Sequence, residues 1–275
     1  MATHRWIAQV PSAWAAASFD TNSLPASNDT VIFGSWGQGD VISSLSQTAV
    51  DLDLLQIQDS YFGRIGNHGN PLIISADLVI ARGRGTLHYQ DGNGTTDVMI
   101  LDSDNLVNAA YIGGNTITRL RVMKGRVKLV TGIGTIADLE VSYRSNIDGD
   151  AYVDAGDLGA LVVTDLRMDG GTLKVFGATI QNFTISAGLL DAYTLSTSGS
   201  TATYQTGGRV RWTDVPPVGL SVAWPTAEYH LMGGTLDISG GGPKTVTTLY
   251  QYAGGTLYDP NNNLDATSTI VRMAP

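Results

Sequence analysis

Apolar residues recur along this chain in a fixed frame around a glycine, standing five and three places before it and two and four places after it. Leu120, Val122, Gly125, Val127 and Leu129 fill the frame, as do Ala151, Val153, Gly156, Leu158 and Ala160. Leu166, Met168, Gly171, Leu173 and Val175 repeat it, and so do Phe183, Ile185, Gly188, Leu190 and Ala192. Tyr229, Leu231, Gly234, Leu236 and Ile238 follow, and Tyr250, Tyr252, Gly255 and Leu257 match up to the last place. Weaker copies stand at Thr203, Gln205, Gly208, Val210, Trp212 and at Ile80, Arg82, Gly85, Leu87, Tyr89. Alternation on both sides of the glycine predicts two short strands, each with one face buried. The glycine, doubled in Gly170-Gly171, Gly207-Gly208, Gly233-Gly234 and Gly254-Gly255, supplies a bend that a Cβ would obstruct.

From Gly156 onward the reference glycines are 15 to 26 residues apart, and the gap of 31 from Gly125 to Gly156 reads as two turns with Leu139–Val141 in the hidden one. A variable period in this range suits a solenoid whose turns keep their strands and vary their loops. Leucine-rich repeats need a stricter Leu and Asn framework. A β-sandwich would not hold glycine in constant register between its strands. The expected fold is therefore all-β, a right-handed parallel β-helix. Residues 49–258 form the solenoid, and 259–275, polar and turn-rich, its C-terminal cap. Residues 1–48, with Trp6, Trp14, Phe19 and Trp36 around Pro11 and Pro25, read as an aromatic N-terminal cap and attachment segment. The one helical candidate is the Ala-rich stretch Ser12–Ser18.

Composition agrees with this pattern: 15% charged residues against 33 glycines among 275 points to many short strands and tight turns. A net charge of −9 disfavours nucleic acid and anionic membrane surfaces as partners. With no cysteine, disulfides and thiolate metal sites are excluded, as fits a protein made in a reducing cytoplasm. The opening MATHRWIAQVPSAWAAASFD is broken by Gln9, Pro11 and Ser12, so no signal peptide is expected, and no apolar run is long enough for a membrane span.

The sharpest local motif places Asn146, Asp148, Asp150, Asp154 and Asp157 at relative positions 1, 3, 5, 9 and 12, with Val153 at position 8, like a dockerin calcium loop. Gly149 and Ala151 depart from that pattern, a single copy is present, and residues 158–168 read as strand where a helix is needed. An acidic loop outside one turn explains the motif better. The same carboxylates as acid/base groups of a polysaccharide-cleaving enzyme would have Arg144 as their nearest basic neighbour and no histidine beside them. Gly132, Gly134 and Ala137 loosely match a dinucleotide fingerprint, but the following DLEVSY alternates as a strand. His4, His68, His88 and His230 are scattered without metal-pair spacing, and Tyr229, Tyr250, Tyr252 and Trp212 occupy frame positions. No catalytic, cofactor-binding or metal residue is assigned.

Two segments carry a resemblance. Trp14, Pro25 and Asn28-Asp-Thr-Val-Ile-Phe33 resemble the start of secreted or virion β-helices, and TVTTLYQYAGGTLYDPNNNLDATSTI at 245–270 is similar to the end of proteins encoded among phage structural genes. The resemblance to bacteriophage virion β-helix proteins implies a non-enzymatic capsid decoration protein. It would be homotrimeric, assembled in the host cytoplasm and bound to the major capsid protein of the head. A tailspike or adsorption protein binding host glycan, a β-helix polysaccharide lyase or hydrolase, and a calcium-stabilised adhesin are the alternatives.

Overall fold

The computed structural model describes residues 1–92, 95–105, 107, 109–114, 116–130, 133–142, 151–155, 161–176, 179–193, 202–212, 222–223, 228–240, 244–264 and 268–274. The chain is all-β, a parallel β-solenoid of about nine turns. It divides into two compact units, one of Met1–Ile136 with Arg144–Ala151 and one of Ala137–Tyr143 with Tyr152–Pro275. No described helix is long and apolar enough to cross a membrane.

In the first unit, each turn lays its strand on the one before, so like positions stack. His4, Val31, Leu55, Val79, Met99 and Leu120 form one such column through the parallel pairs of Thr3–Arg5, Thr30–Phe33, Ser46–Ile57, Leu72–Ala81, Thr96–Asp102 and Thr116–Lys124. Every member is buried. Phe33, Ile57, Ala81, Leu101 and Val122 make a second buried column one alternation further on. A facing wall is built from Val41, Ile65, Leu87, Ala110 and Val127. The aromatic residues fill the first turns: Trp6 and Trp14 pack edge-on against Phe19 with centroids 5.5 and 5.2 Å apart, and Phe33 joins them to Tyr61. Trp36 is exposed instead, with the Arg5 guanidinium 5.3 Å from its ring. Ser12–Ser18 makes only a 3-10 turn at Ala16–Ser18. Trp14 N–H donates to Ser43 O and the Ser18 hydroxyl to Ala13 O, which ties the stretch into the ladder.

The second unit carries most copies of the glycine frame. The residue two places after the glycine forms one unbroken column, Leu173, Leu190, Val210, Leu236 and Leu257. Val162–Phe176 and Thr179–Tyr193 are continuous strands that bend at the glycine rather than separate pairs. Gly188 adopts φ +88°, and a Cβ there would lie 2.6 Å from the carbonyl oxygens of both Gly170 and Gly171 in the turn below. A side chain is therefore refused twice, by backbone conformation and by the stacking distance. Buried Gln205 shows that the core accepts an amide when it is satisfied: it donates to Thr235 O at 3.0 Å and accepts from the Tyr229 hydroxyl at 2.6 Å.

Three frame copies are corrected by the structure. Tyr152–Ala155 pairs with Thr172–Val175, so Val153 belongs to the column after the corner, half a turn from where the Gly156 copy places it. Thr135–Val141 also pairs with Val162–Phe176, so it and Tyr152–Ala155 are two halves of one turn. In the Gly255 copy, Leu249 rather than Tyr250 stacks under Tyr229, because the register shifts between Leu231 and Gly233. One extra residue before a corner turns the preceding alternation inside out. The Gly85 copy slips likewise, and Val79 and Ala81 are buried in place of Ile80 and Arg82.

Candidate functional site

Of the acidic-loop residues, Asn146, Asp148, Asp150 and Asp157 lie outside the described residues, as does Arg144. Asp154 is described, and it sits in the strand Tyr152–Ala155, in register with Lys174. Lys174 in turn registers with Asp191, Asp191 with Arg211, and Arg211 with Asp237. This is an alternating charge ladder in which Arg211 Nε donates to Asp191 Oδ1 at 2.9 Å and Arg209 reaches Asp237 Oδ2 at 2.5 Å. Asp191 and Asp237 are buried, so the pairs hold neighbouring turns together. Gly134 precedes the strand Thr135–Val141, as its alternation predicts, and no helix N-terminus stands there for a pyrophosphate. Among the described residues, no group of three or more His, Asp or Glu is placed to hold a metal ion.

The histidines fall in three distinct settings. His4 is buried in the first core column, with Nε2 3.1 Å from Asp29 Oδ2 and Nδ1 2.7 Å from Thr21 Oγ1. That connectivity copies a nucleophile, a base and an orienting acid. Asp29, however, also accepts the backbone N–H groups of Ala2, at 2.5 Å, and Ala26, at 3.0 Å. Those two bonds, ahead of the contact with His4, hold its carboxyl down at about 2. The cluster is a latch that fastens the first strand to the turn at Ala26–Asp29.

His230 belongs to an outer aromatic ladder, Tyr204, His230 and Tyr250, stacked in register at 4.8 and 4.7 Å. Its ring nitrogens meet Glu228 Oε2 at 3.2 Å and the Tyr252 hydroxyl at 3.3 Å. Tyr229 and Trp212 are core residues, whereas Tyr250 and Tyr252 face outward. Stacked this way, the rings spend their faces on each other and present edges to solvent, which is the wrong surface for a sugar platform.

His88 lies parallel to Tyr111, with ring centroids 4.5 Å apart, at a cleft of about 270 Å³ that His68 also lines. Burial first, then Arg64 and His68, push the His88 imidazole down to about 4.

Acidic groups gather at one edge of the first unit. Burial and then repulsion by Asp77, Asp97 and Asp53 raise the carboxyl of Asp51. Asp91, buried beside Ser75 and Thr96, is also raised, chiefly by burial.

Sequence reasoning missed the outer face of the first unit. Between the buried columns, the outward positions carry Ile32, then Leu54, then Leu78 and Ile80, then Val98 and Ile100 on successive turns. All six are half-buried in the single chain. The signal was present as runs apolar at both parities, LDLLQI, ADLVIA and DVMIL, which mark strands covered on both faces.

Compared with known proteins, the chain matches no protein-family model, no curated protein and no solved structure.

Proposed function

We propose that this chain is a non-enzymatic structural protein that assembles side by side with copies of itself through the aliphatic outer face of its first unit. The observation that carries the reading is the block Leu54, Leu78, Ile80, Val98 and Ile100, with Ile32 beyond Gln56 on the same face, rimmed by Asp77 and Asp97 before these positions and by the Arg82–Asp102 pair after them. A contiguous apolar patch within a polar rim is the surface of an interface, and burying it adds roughly 25 cal/mol for each Å² removed from water. Parallel sheets suit such packing, because the backbone groups of these strands already pair with the turns on either side.

The resemblance to virion β-helices supplies the specific version: a homotrimeric capsid decoration protein on the assembled phage head, contacting the major capsid protein. In that version the winding is right-handed, as parallel crossovers nearly always are, and residues 1–48 close one end of the ladder. Binding only to the finished shell would stabilise the shell by linkage.

The experiment is sedimentation of wild type beside Ile80→Glu. A carboxylate in the middle of the face is expected to dissociate the assembly while leaving the single-chain circular dichroism unchanged. Unchanged sedimentation of a folded Ile80→Glu protein would remove the face from the interface.

A further inference from the structure

In the second unit, one long strand is paired along only part of its outer side. Thr248–Tyr258 lies in register with Glu228–Asp237, so that Gly254-Gly255-Thr256-Leu257 stacks on the identical Gly233-Gly234-Thr235-Leu236. On the other side, Thr269–Arg272 covers residues 248–251 and goes no further. Among the described residues, no strand pairs with the outer side of residues 254–258.

The side chains and the backbone both show a stack that stops short. Leu173, Leu190, Val210 and Leu236 are buried, but Leu257, next in the same column, is only half-buried. Ile270, which follows the buried Leu249 in its own column, is 42% exposed. The Tyr258 carbonyl accepts Ile238 N–H at 3.0 Å, so by alternation the N–H and C=O of Leu257 point away from that neighbouring turn. Proteins blunt an open edge with lysine, proline or other charged residues, yet TVTTLYQYAGGTLY at 245–258 holds no charge and no proline. A cleft of about 320 Å³, lined by Gln251, Tyr252, Ala253, Gly255, Arg272 and Met273, stands where one more turn would make its corner.

We infer that this arm docks an extended polypeptide segment of a partner protein, which adds in parallel as one more strand and sets an apolar side chain on Leu257. A polypeptide strand supplies N–H and C=O groups at the spacing the edge presents, so backbone pairing gives the attraction and the Leu257 position the selectivity. The ladder it extends is parallel throughout. A second copy offering the same arm about a two-fold axis would run antiparallel and, centred on Thr256, set Leu257 against Gly255. That pairing leaves the column uncovered, so a heterologous strand fits the edge better than a tail-to-tail copy. No residue of the first unit's aliphatic face takes part.

The probe is a fluorescein-labelled peptide, Ala-Gly-Gly-Thr-Leu-Tyr-Asp, which repeats residues 253–259 and carries the tetrapeptide that already stacks in register. It is titrated into the intact protein and followed by fluorescence anisotropy and by amide hydrogen exchange. The expected result is saturable binding, with exchange at residues 254–258 slowed about tenfold or more. Aspartate in place of the peptide's leucine, or Leu257→Glu in the protein, is expected to weaken binding about tenfold or more, as loss of one buried leucine contact requires. Absence of saturable binding overturns the inference, and so does equal binding of the aspartate peptide. Amides at 254–258 already protected in the free protein overturn it too, because the arm is then covered by the chain or its copies. Sedimentation of Ile80→Glu uses no peptide, so failure here would leave the assembly reading standing.

Discussion

Gly188 is held by two constraints that a single methyl group tests together. At φ +88° and 2.6 Å from two carbonyl oxygens, an alanine must both adopt a left-handed backbone and separate the turns. Gly188→Ala is expected to destabilise by at least about 2 kcal/mol in chemical denaturation. A loss below about 0.5 kcal/mol would mean that the corner is not stacked as described. Asp29 gives a pH signature. Its carboxyl is depressed from 3.8 to about 2, so its contribution is complete above the unfolded value and is lost as pH falls through about 2. That contribution is about 2 kcal/mol, and Asp29→Asn should remove the corresponding acid slope between roughly pH 4 and 2. His88 has the opposite chemistry but a related slope. Its folded value of about 4 lies below the ordinary 6.5, so the unfolded chain binds the extra proton between these values. Stability should therefore fall by about 3 kcal/mol as pH drops from 6.5 to 4 and then level off, and His88→Phe should flatten that segment.

Within an element, what the sequence makes legible is the side of each strand that is constrained by a neighbour on the next turn. The column Leu173, Leu190, Val210, Leu236 and Leu257 could be read directly because the glycine two places earlier resets the register on every turn. Before the glycine, no such marker exists, and one extra residue moved Tyr250 and Tyr252 from core to surface without altering the alternation itself. The aliphatic outer face was written in the sequence but missed for a related reason: alternation alone passes over strands such as LDLLQI that are apolar at both parities. The cleft at His88 was also out of reach, since His68 and Tyr111 are 43 residues apart and meet only through the stacking of turns. The charge ladder could have been found from the third residue after each glycine, Lys174, Asp191, Arg211 and Asp237. Because Asp191 is buried against Arg211, replacing the arginine leaves a carboxylate with little water. Arg211→Met is expected to cost about 2 kcal/mol, and Asp191→Leu combined with it should restore part of that loss. A double variant no better than the single one would show that the pair is only a surface contact.

At the scale of the whole molecule, the two halves of the chain spend their outward positions differently. The second unit fills them with an ion-pair ladder and an aromatic stack that satisfy one another from turn to turn. The first unit leaves six aliphatic side chains half-buried on one face. A solenoid serving as a particle component would use such a face to meet its own copies. The most direct measurement is the solution mass of the purified protein by light scattering over a range of concentrations, with and without chelator. A mass near three times the 29.0 kDa of one chain, unchanged by chelator, is the expected result. A mass of 29.0 kDa at every concentration would contradict it and leave the outer face without an assembly role.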